Sequence, residues 1–296
     1  MRKARDWLPG LLLVLPSIIL IGIFVYGLIG WNFQLSLTDK HLPGPKPGEF
    51  VGLDNYVALW ELKRWTDSVW NLVVFTVVFL GGAMLLGFVL ALLLDKPIRG
   101  EMTFRTVYLF PMAVSFIATG IVWRWLMASD SAAGLNGLFG AVGLGALVDG
   151  QTWWRDPETG MVAMALPAIW QLAGYVMALF LAGFRGVSED LREAGRVDGA
   201  TEWQVYRHVV LPQLRPVLMV AIVIMGHMSL KVFDLIVAVA GNSTVAEVPA
   251  VYMWKMVFDV RDPAFGASIA SHLLLAVAVL VIPYLVWNMR NERDSS

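Results

Sequence analysis

The chain has 296 residues, of which 58% are hydrophobic and 15% charged, with a net charge of −1 at pH 7. A water-soluble domain carries about 45–50% apolar and about 25% charged residues, so the composition excludes an ordinary soluble protein, and a near-zero charge leaves no global field to recruit nucleic acid. Cysteine is absent, which excludes disulfides, zinc-thiolate sites and thiol nucleophiles.

In chain order, charge-free apolar runs predict six spanning helices, since each reaches the roughly 20 residues that a bilayer requires. Arg2, Lys3 and Arg5 precede the run Trp7–Thr38. That run is too long for a signal-peptide core and no small-x-small cleavage site follows, so it reads as an uncleaved first span at about 8–31. The segment after it holds Pro43, Pro45 and Pro47 and cannot be helical. The second and third spans fall at about 69–94 and 106–127, the third with Arg124 between Trp123 and Trp125, read as a snorkelling residue in an aromatic belt ahead of the alternative of substrate contact. Ser131–Val148 is uncharged, but it is weakly hydrophobic and rich in glycine. It predicts a short amphipathic helix on the outer surface, not a seventh span. The remaining spans fall at about 161–184, 214–240 and 267–289. The expected fold is all-α: a polytopic integral membrane protein, with residues 1–296 as one transmembrane domain. Lys and Arg concentrate on the inner segments when both termini are cytoplasmic, thirteen against seven, which puts the loop 185–212 in the cytoplasm.

That loop has a compact helix-turn-helix layout. Ser188 stands where it caps a helix ending near Asp198, Gly199 follows at a position favouring positive φ, and Thr201 with Gln204 forms a capping box for a second helix. Pro212 stops that helix or turns it into the fifth span. The small pair Ala194 and Gly195 permits close approach by a partner, and Glu193, Arg196 and Asp198 offer charged contacts at its edge.

Charged groups within a bilayer cost at least about 2.5–3.5 kcal/mol each and demand a reason. His227, Lys231 and Asp234 are spaced i, i+4, i+7 and would share one face of a continuous fifth helix. Lys231 and Asp234 either form a fixed structural ion pair or belong to a face lining a translocation path or gate. Gln171 and Tyr175 in the fourth span, and Asn71 in the outer half of the second, are further path candidates. Hydrogen-bonding groups beside aromatic rings suit a sugar, and they equally suit packing between helices. An ion-coupled transporter relaying protons through His227, Lys231 and Asp234 is the competing reading. The sequence offers no catalytic residues: it has no paired intramembrane carboxylates, and Ser229 does not face His227 on a helix. The four His show no metal-ligand spacing.

Glu193, Ala194, Gly199, Leu211 and Pro212, with Gly195 for a third Ala and Val209 for Ile, resemble the coupling-loop pattern of binding-protein-dependent ABC importer permeases. Gly52-Leu53-Asp54-Asn55-Tyr56, Phe110-Pro111, Gly134-Leu135-Asn136 and Phe233-Asp234-Leu235 extend the resemblance to maltose-type sugar permeases. Tyr108–Ala113, Val176–Gly183 and Lys231 look most similar to glucose/mannose types. Gly241-Asn242-Ser243 stands where the family often has Gly-Gly-Pro, and Gly195 costs up to about 1 kcal/mol against Ala in a helix, which would loosen the first coupling helix. The resemblance implies a non-catalytic pore subunit of a bacterial or archaeal inner membrane, and it implies a second permease in a heterodimer. It further implies two ATP-binding subunits carrying ATP-Mg, an external sugar-binding protein, and coupling through Glu193, Ala194, Gly195, Arg196, Asp198 and Gly199. No cofactor is expected on this chain, which has no Gly-x-x-x-x-Gly-Lys-Ser/Thr loop.

Overall fold

The computed structural model describes residues 8–42, 44, 48–96, 98–130, 133–148 and 151–294. The basic residues Arg2, Lys3 and Arg5, the prolines Pro43, Pro45 and Pro47, and Ser131 lie outside the described residues. The elements are α1 (Gly10–Ser36), α2 (Asp54–Glu61), α3 (Lys63–Asp95), α4 (Glu101–Leu109), α5 (Phe116–Leu126), α6 (Gly134–Ala141), α7 (Gly160–Gly186) and α8 (Glu189–Val197). They continue with α9 (Glu202–Gln213), α10 (Arg215–Leu230), α11 (Asp234–Ala240), α12 (Pro249–Lys255) and α13 (Pro263–Asp294). Among the described residues the only extended pairing is an isolated bridge between Thr38 and Phe50.

Four of these helices are long and apolar enough to cross a membrane, or up to six spans exist if each of two bent pairs is one span. The glycine-rich segment after α5 forms only the eight-residue α6 and a short 3-10 turn, as its composition predicts.

Two expected spans are broken. The third, expected as one helix over 106–127, turns by 95° between Ala113 and Phe116. Pro111 supplies no N–H, Val114 is extended, and the Ser115 hydroxyl accepts from the Ala118 N–H at 3.1 Å to start α5 afresh. The fifth, expected as one helix over 214–240, ends at Leu230 and restarts at Asp234. Ser229 contributes to this end by donating back to the Gly226 carbonyl at 2.8 Å, a bond that bends helices.

The chain forms two compact units. The first comprises 1–65 and 252–275. Here Asn55, buried at 5% exposure, donates to the carbonyls of Ser36 and Thr38 at 2.8 Å each and so closes the C-terminus of α1. The Tyr56 hydroxyl meets Ser36 Oγ at 2.7 Å, so both residues of that Asn-Tyr pair act on the same end of α1. His272 sits among Tyr56, Trp60 and Trp65, accepting from Trp60 Nε1 at 3.2 Å.

The second unit comprises 66–251 and 276–296. Its core is built on α7, whose Met164, Met177, Leu181 and Phe184 are fully buried with Phe75 and Phe79 of α3 and Leu235 of α11. α11 packs closely on α5, where Gly120 faces Ala238. Small residues at such crossings let helix backbones approach where lipid gives no hydrophobic drive.

Candidate functional site

Two places in the second unit gather the sequence-predicted residues. The first is the loop carrying α8 and α9. Glu189 and Asp190 in the first turn of α8 and Arg196 in its last turn complement the helix dipole. Ser188 occupies the N-cap, but its hydroxyl makes no capping bond. The C-terminus closes as expected: Gly199 has φ +83°, its N–H bonds the Arg196 carbonyl at 3.1 Å, and the Ala200 N–H bonds the Gly195 carbonyl at 3.0 Å. These two bonds are the Schellman arrangement, which needs a residue tolerant of positive φ. The capping box of α9 is present, with the Thr201 N–H donating to Gln204 Oε1 at 2.7 Å. Of the two readings of Pro212, the turn into the next span is the one found. The helix passes through a π-turn at Tyr206–Val210 and bends by 60° into α10.

Glu193, Ala194, Asp198 and Gly199 are exposed. Arg196 is exposed but tied within the loop, to Glu189 at 2.9 Å and Glu202 at 2.8 Å. Gly195 faces α9, and a Cβ there would stand 3.3 Å from Val205 Cγ2. The departure from Ala therefore relieves crowding between the two helices. Sequence reasoning passed over the apolar side of this loop. Leu191 and Val197, exposed at 48% and 86%, flank Ala194 at helical spacing, and Trp203 on α9 is 65% exposed. A spacing of i, i+3, i+6 around Ala194 was the signal that could have found them.

Also missed was Asp95, the last residue of α3. Its side chain is only 4% exposed and bonds Arg192 Nη1 of α8 at 2.9 Å. The Tyr206 hydroxyl donates to the same carboxylate. Arg192 Nη2 donates to the Phe184 carbonyl at 2.6 Å, and its guanidinium lies 5.6 Å from the centroid of the Tyr206 ring. Burial, and then the bond to Asp95 and its negative charge, push the Tyr206 phenol up to about 12.

The second place is the break between α10 and α11. It lines a cavity of about 300 Å³ with Phe75, Phe79, Phe116, Ser229, Lys231, Phe233 and Asp234. Irregular backbone at membrane depth is tolerated where it lines a cavity or is buried in protein. The continuous face expected for His227, Lys231 and Asp234 does not exist, because the helix stops between the first and second of them. Of the two readings of Lys231 and Asp234, the fixed ion pair is not formed among the described residues; both side chains are exposed at the cavity. A single-face proton relay loses its geometric basis with that helix.

The other path candidates lie elsewhere. Gln171, 2% exposed, donates from Nε2 to the Val114 carbonyl at 2.6 Å and so braces the break before α5. Asn71 donates to the carbonyls of Val245 and Glu247 at 2.9 Å each, fixing the segment after α11. Tyr175 is half-buried against the core, and His227 is half-buried on α10.

A coupling-type loop followed by a broken helix lining a cavity is the layout of a transport subunit. The chain belongs to the family described as binding-protein-dependent transport system inner membrane component, whose model matches residues 83–291. It is 39% identical over 295 residues to a probable ABC transporter permease protein of Pyrococcus horikoshii, covering 99% of each chain. It is 32% identical over 277 residues to the xylose/arabinose import permease of Haloferax volcanii, covering 92% of this chain and 85% of that one. In fold it matches a chain of the bacterial ABC transporter that imports the acidic polysaccharide alginate, with a TM-score of 0.78, 22% identity, and 99% and 98% coverage.

Proposed function

We propose that this chain is one half of the translocation pore of an ATP-driven sugar importer, taking a neutral sugar of the glucose/mannose class from an external binding protein. Its partner is a second, different permease. ATP-Mg is bound and hydrolysed on two separate subunits, and this chain itself is non-catalytic. The loop 185–212 faces the cytoplasm, as the Lys and Arg distribution favours.

The observation that carries this reading is the apolar ridge Leu191, Ala194, Val197 standing clear of the protein on a nine-residue helix that buries none of its own residues. An amphipathic helix with an unpartnered apolar ridge is built to enter a groove. Glu193, Arg196 and Asp198 border the ridge, and the Gly199 turn lets α8 project. Sugar as cargo is supported by the pentose-import relative, by the maltose-type motifs and by the cavity. There, aromatic faces of Phe75, Phe79 and Phe116 stand beside the charged hydrogen-bonding ends of Lys231 and Asp234. Apolar walls with a few polar groups fit a sugar ring and its hydroxyls.

Isolation of this chain from detergent-solubilised host membranes, with mass spectrometry of what accompanies it, tests the assignment. A second permease and an ATP-binding protein are expected. Val197→Asp and Glu193→Arg should release the ATP-binding protein while leaving the permease pair intact. Val197→Asp should weaken retention by about 10-fold or more, since burying a Val side chain is worth about 1.5–3 kcal/mol. Recovery of the chain alone, or full retention in both variants, would overturn it.

A further inference from the structure

The α8 helix has few attachments. It buries none of its nine residues. Gly195 faces Val205 of α9, and Arg196 links α8 to Glu202, which is also on α9. Among the described residues the bonds from α8 to the ends of the membrane helices run through Arg192. That side chain reaches Asp95 at the end of α3 at 2.9 Å and the Phe184 carbonyl near the end of α7 at 2.6 Å. Tyr206 of α9 closes the arrangement by donating to the same Asp95 carboxylate. The Tyr206 ring packs edge-on against Phe184, which in turn contacts Phe88 of α3. Two loop helices and the end of α3 therefore meet at one carboxylate that is almost wholly shielded from water, and Arg192 ties α7 to it through the Phe184 carbonyl.

We infer that Asp95, Arg192 and Tyr206 are positioning residues forming the joint that passes movement of α8 to α3 and α7. This inference rests on the reading of α8 as the ATPase-docking helix. A helix held only by loop-internal contacts would pivot when pushed, and the push would be lost in the loop. A charged hydrogen bond to each of two long helices makes α8 and their ends move together. Arg suits the role because its planar fork bonds a carboxylate and a carbonyl at once, and Lys offers only a point charge. The joint lies beneath the exposed ridge, so it transmits force without touching the ATPase.

The absence of cysteine makes a direct test available. In the assembled importer, a cysteine placed at Lys231 is the only thiol of this chain and reports access to the cavity through its labelling rate with a charged methanethiosulfonate reagent. Adding ATP-Mg and trapping with vanadate should change that rate in the Lys231→Cys background. Arg192→Met and Asp95→Asn should each reduce the nucleotide-dependent change by about tenfold, in line with loss of a hydrogen bond to a charged group. ATP-binding subunits should remain bound and ATP hydrolysis should continue. Tyr206→Phe, which keeps the ring and removes one bond, should give an intermediate value and guards against a variant that fails to fold.

An undiminished response in both Arg192→Met and Asp95→Asn would overturn the joint while leaving the docking role of α8 standing. Release of the ATP-binding subunits by Arg192→Met, with the permease pair intact, would also overturn it, because Arg192 would then belong to the docking surface. No nucleotide response in the Lys231→Cys background alone would defeat the coupling reading itself, and the joint with it.

Discussion

At Tyr206 a single hydroxyl links the loop to the end of α3, and its protonation state is open to measurement. Burial, the bond to Asp95 and the charge of Asp95 raise its pKa to about 12 from an ordinary value of 10.0, while Arg192 pulls the other way. The folded state thus favours the protonated phenol. The stabilisation is fully present below the unfolded value near 10 and is lost as pH rises through about 12. Neither the bond nor its contribution should vary across physiological pH. The difference in tyrosinate absorbance between the native chain and Tyr206→Phe should show one phenol titrating near 12. Titration of that phenol near 10 would mean that the Asp95 bond is absent in solution. Very little of this was legible beforehand. Glu193, Ala194 and Gly199 announce themselves through a local pattern over twenty residues, but Asp95 and Arg192 are 97 positions apart. Nothing in either neighbourhood names the other; only the fold does.

Among the elements, continuous helices were easy to read and breaks were not. Hydropathy averages over a window as long as a span and hides an interruption of three residues, so 214–240 looked uniform although Lys231–Phe233 separate two helices. The Pro111 signal was present, yet proline in a membrane helix is often absorbed by neighbouring groups and does not by itself announce a 95° turn. The Gly199 end of α8 and the capping box of α9 were legible because capping is local chemistry, whereas the Ser188 hydroxyl does not make the bond its position offers. The turn before α5 depends on a partner 57 residues away, Gln171, which satisfies the Val114 carbonyl. Its other amide atom, Oε1, is buried with no partner, so Gln171 is retained at a cost. Replacing it should therefore have graded effects. Gln171→Leu loses the bond but also removes the stranded oxygen, for a net loss of about 1 kcal/mol or less. Gln171→Glu keeps the shape but, ionised, has no donor for the Val114 carbonyl and sets a carboxylate against it, for a loss of about 1–3 kcal/mol. Thermal unfolding in detergent should rank native, Leu and Glu in that order. A Glu variant as stable as native would mean that the turn does not need this bond.

For the molecule as a whole, the question is where the energy for transport enters. Composition alone excluded a soluble protein, and the family match over residues 83–291 makes this a component of a binding-protein-dependent system. An ion-driven mechanism would need titratable groups arrayed along one path through the bilayer. The sequence offered His227, Lys231 and Asp234 for that purpose, and their spacing pointed to a shared helix face. The break after Leu230 removes that face and leaves Lys231 and Asp234 at a cavity wall, unpaired with each other. Groups placed so can meet the hydroxyls of a polar solute, but they do not form a chain of proton carriers across the membrane. On the proposed reading the energy arrives mechanically, at the loop where α8 stands exposed. Uptake by proteoliposomes containing the isolated complex and its binding protein should consequently depend on ATP inside and persist when a protonophore collapses the proton gradient. Radiolabelled glucose, mannose and xylose form the probe set. Uptake of any of them that survives removal of ATP but stops with the protonophore would reverse this conclusion and return Lys231 and Asp234 to the centre of the mechanism.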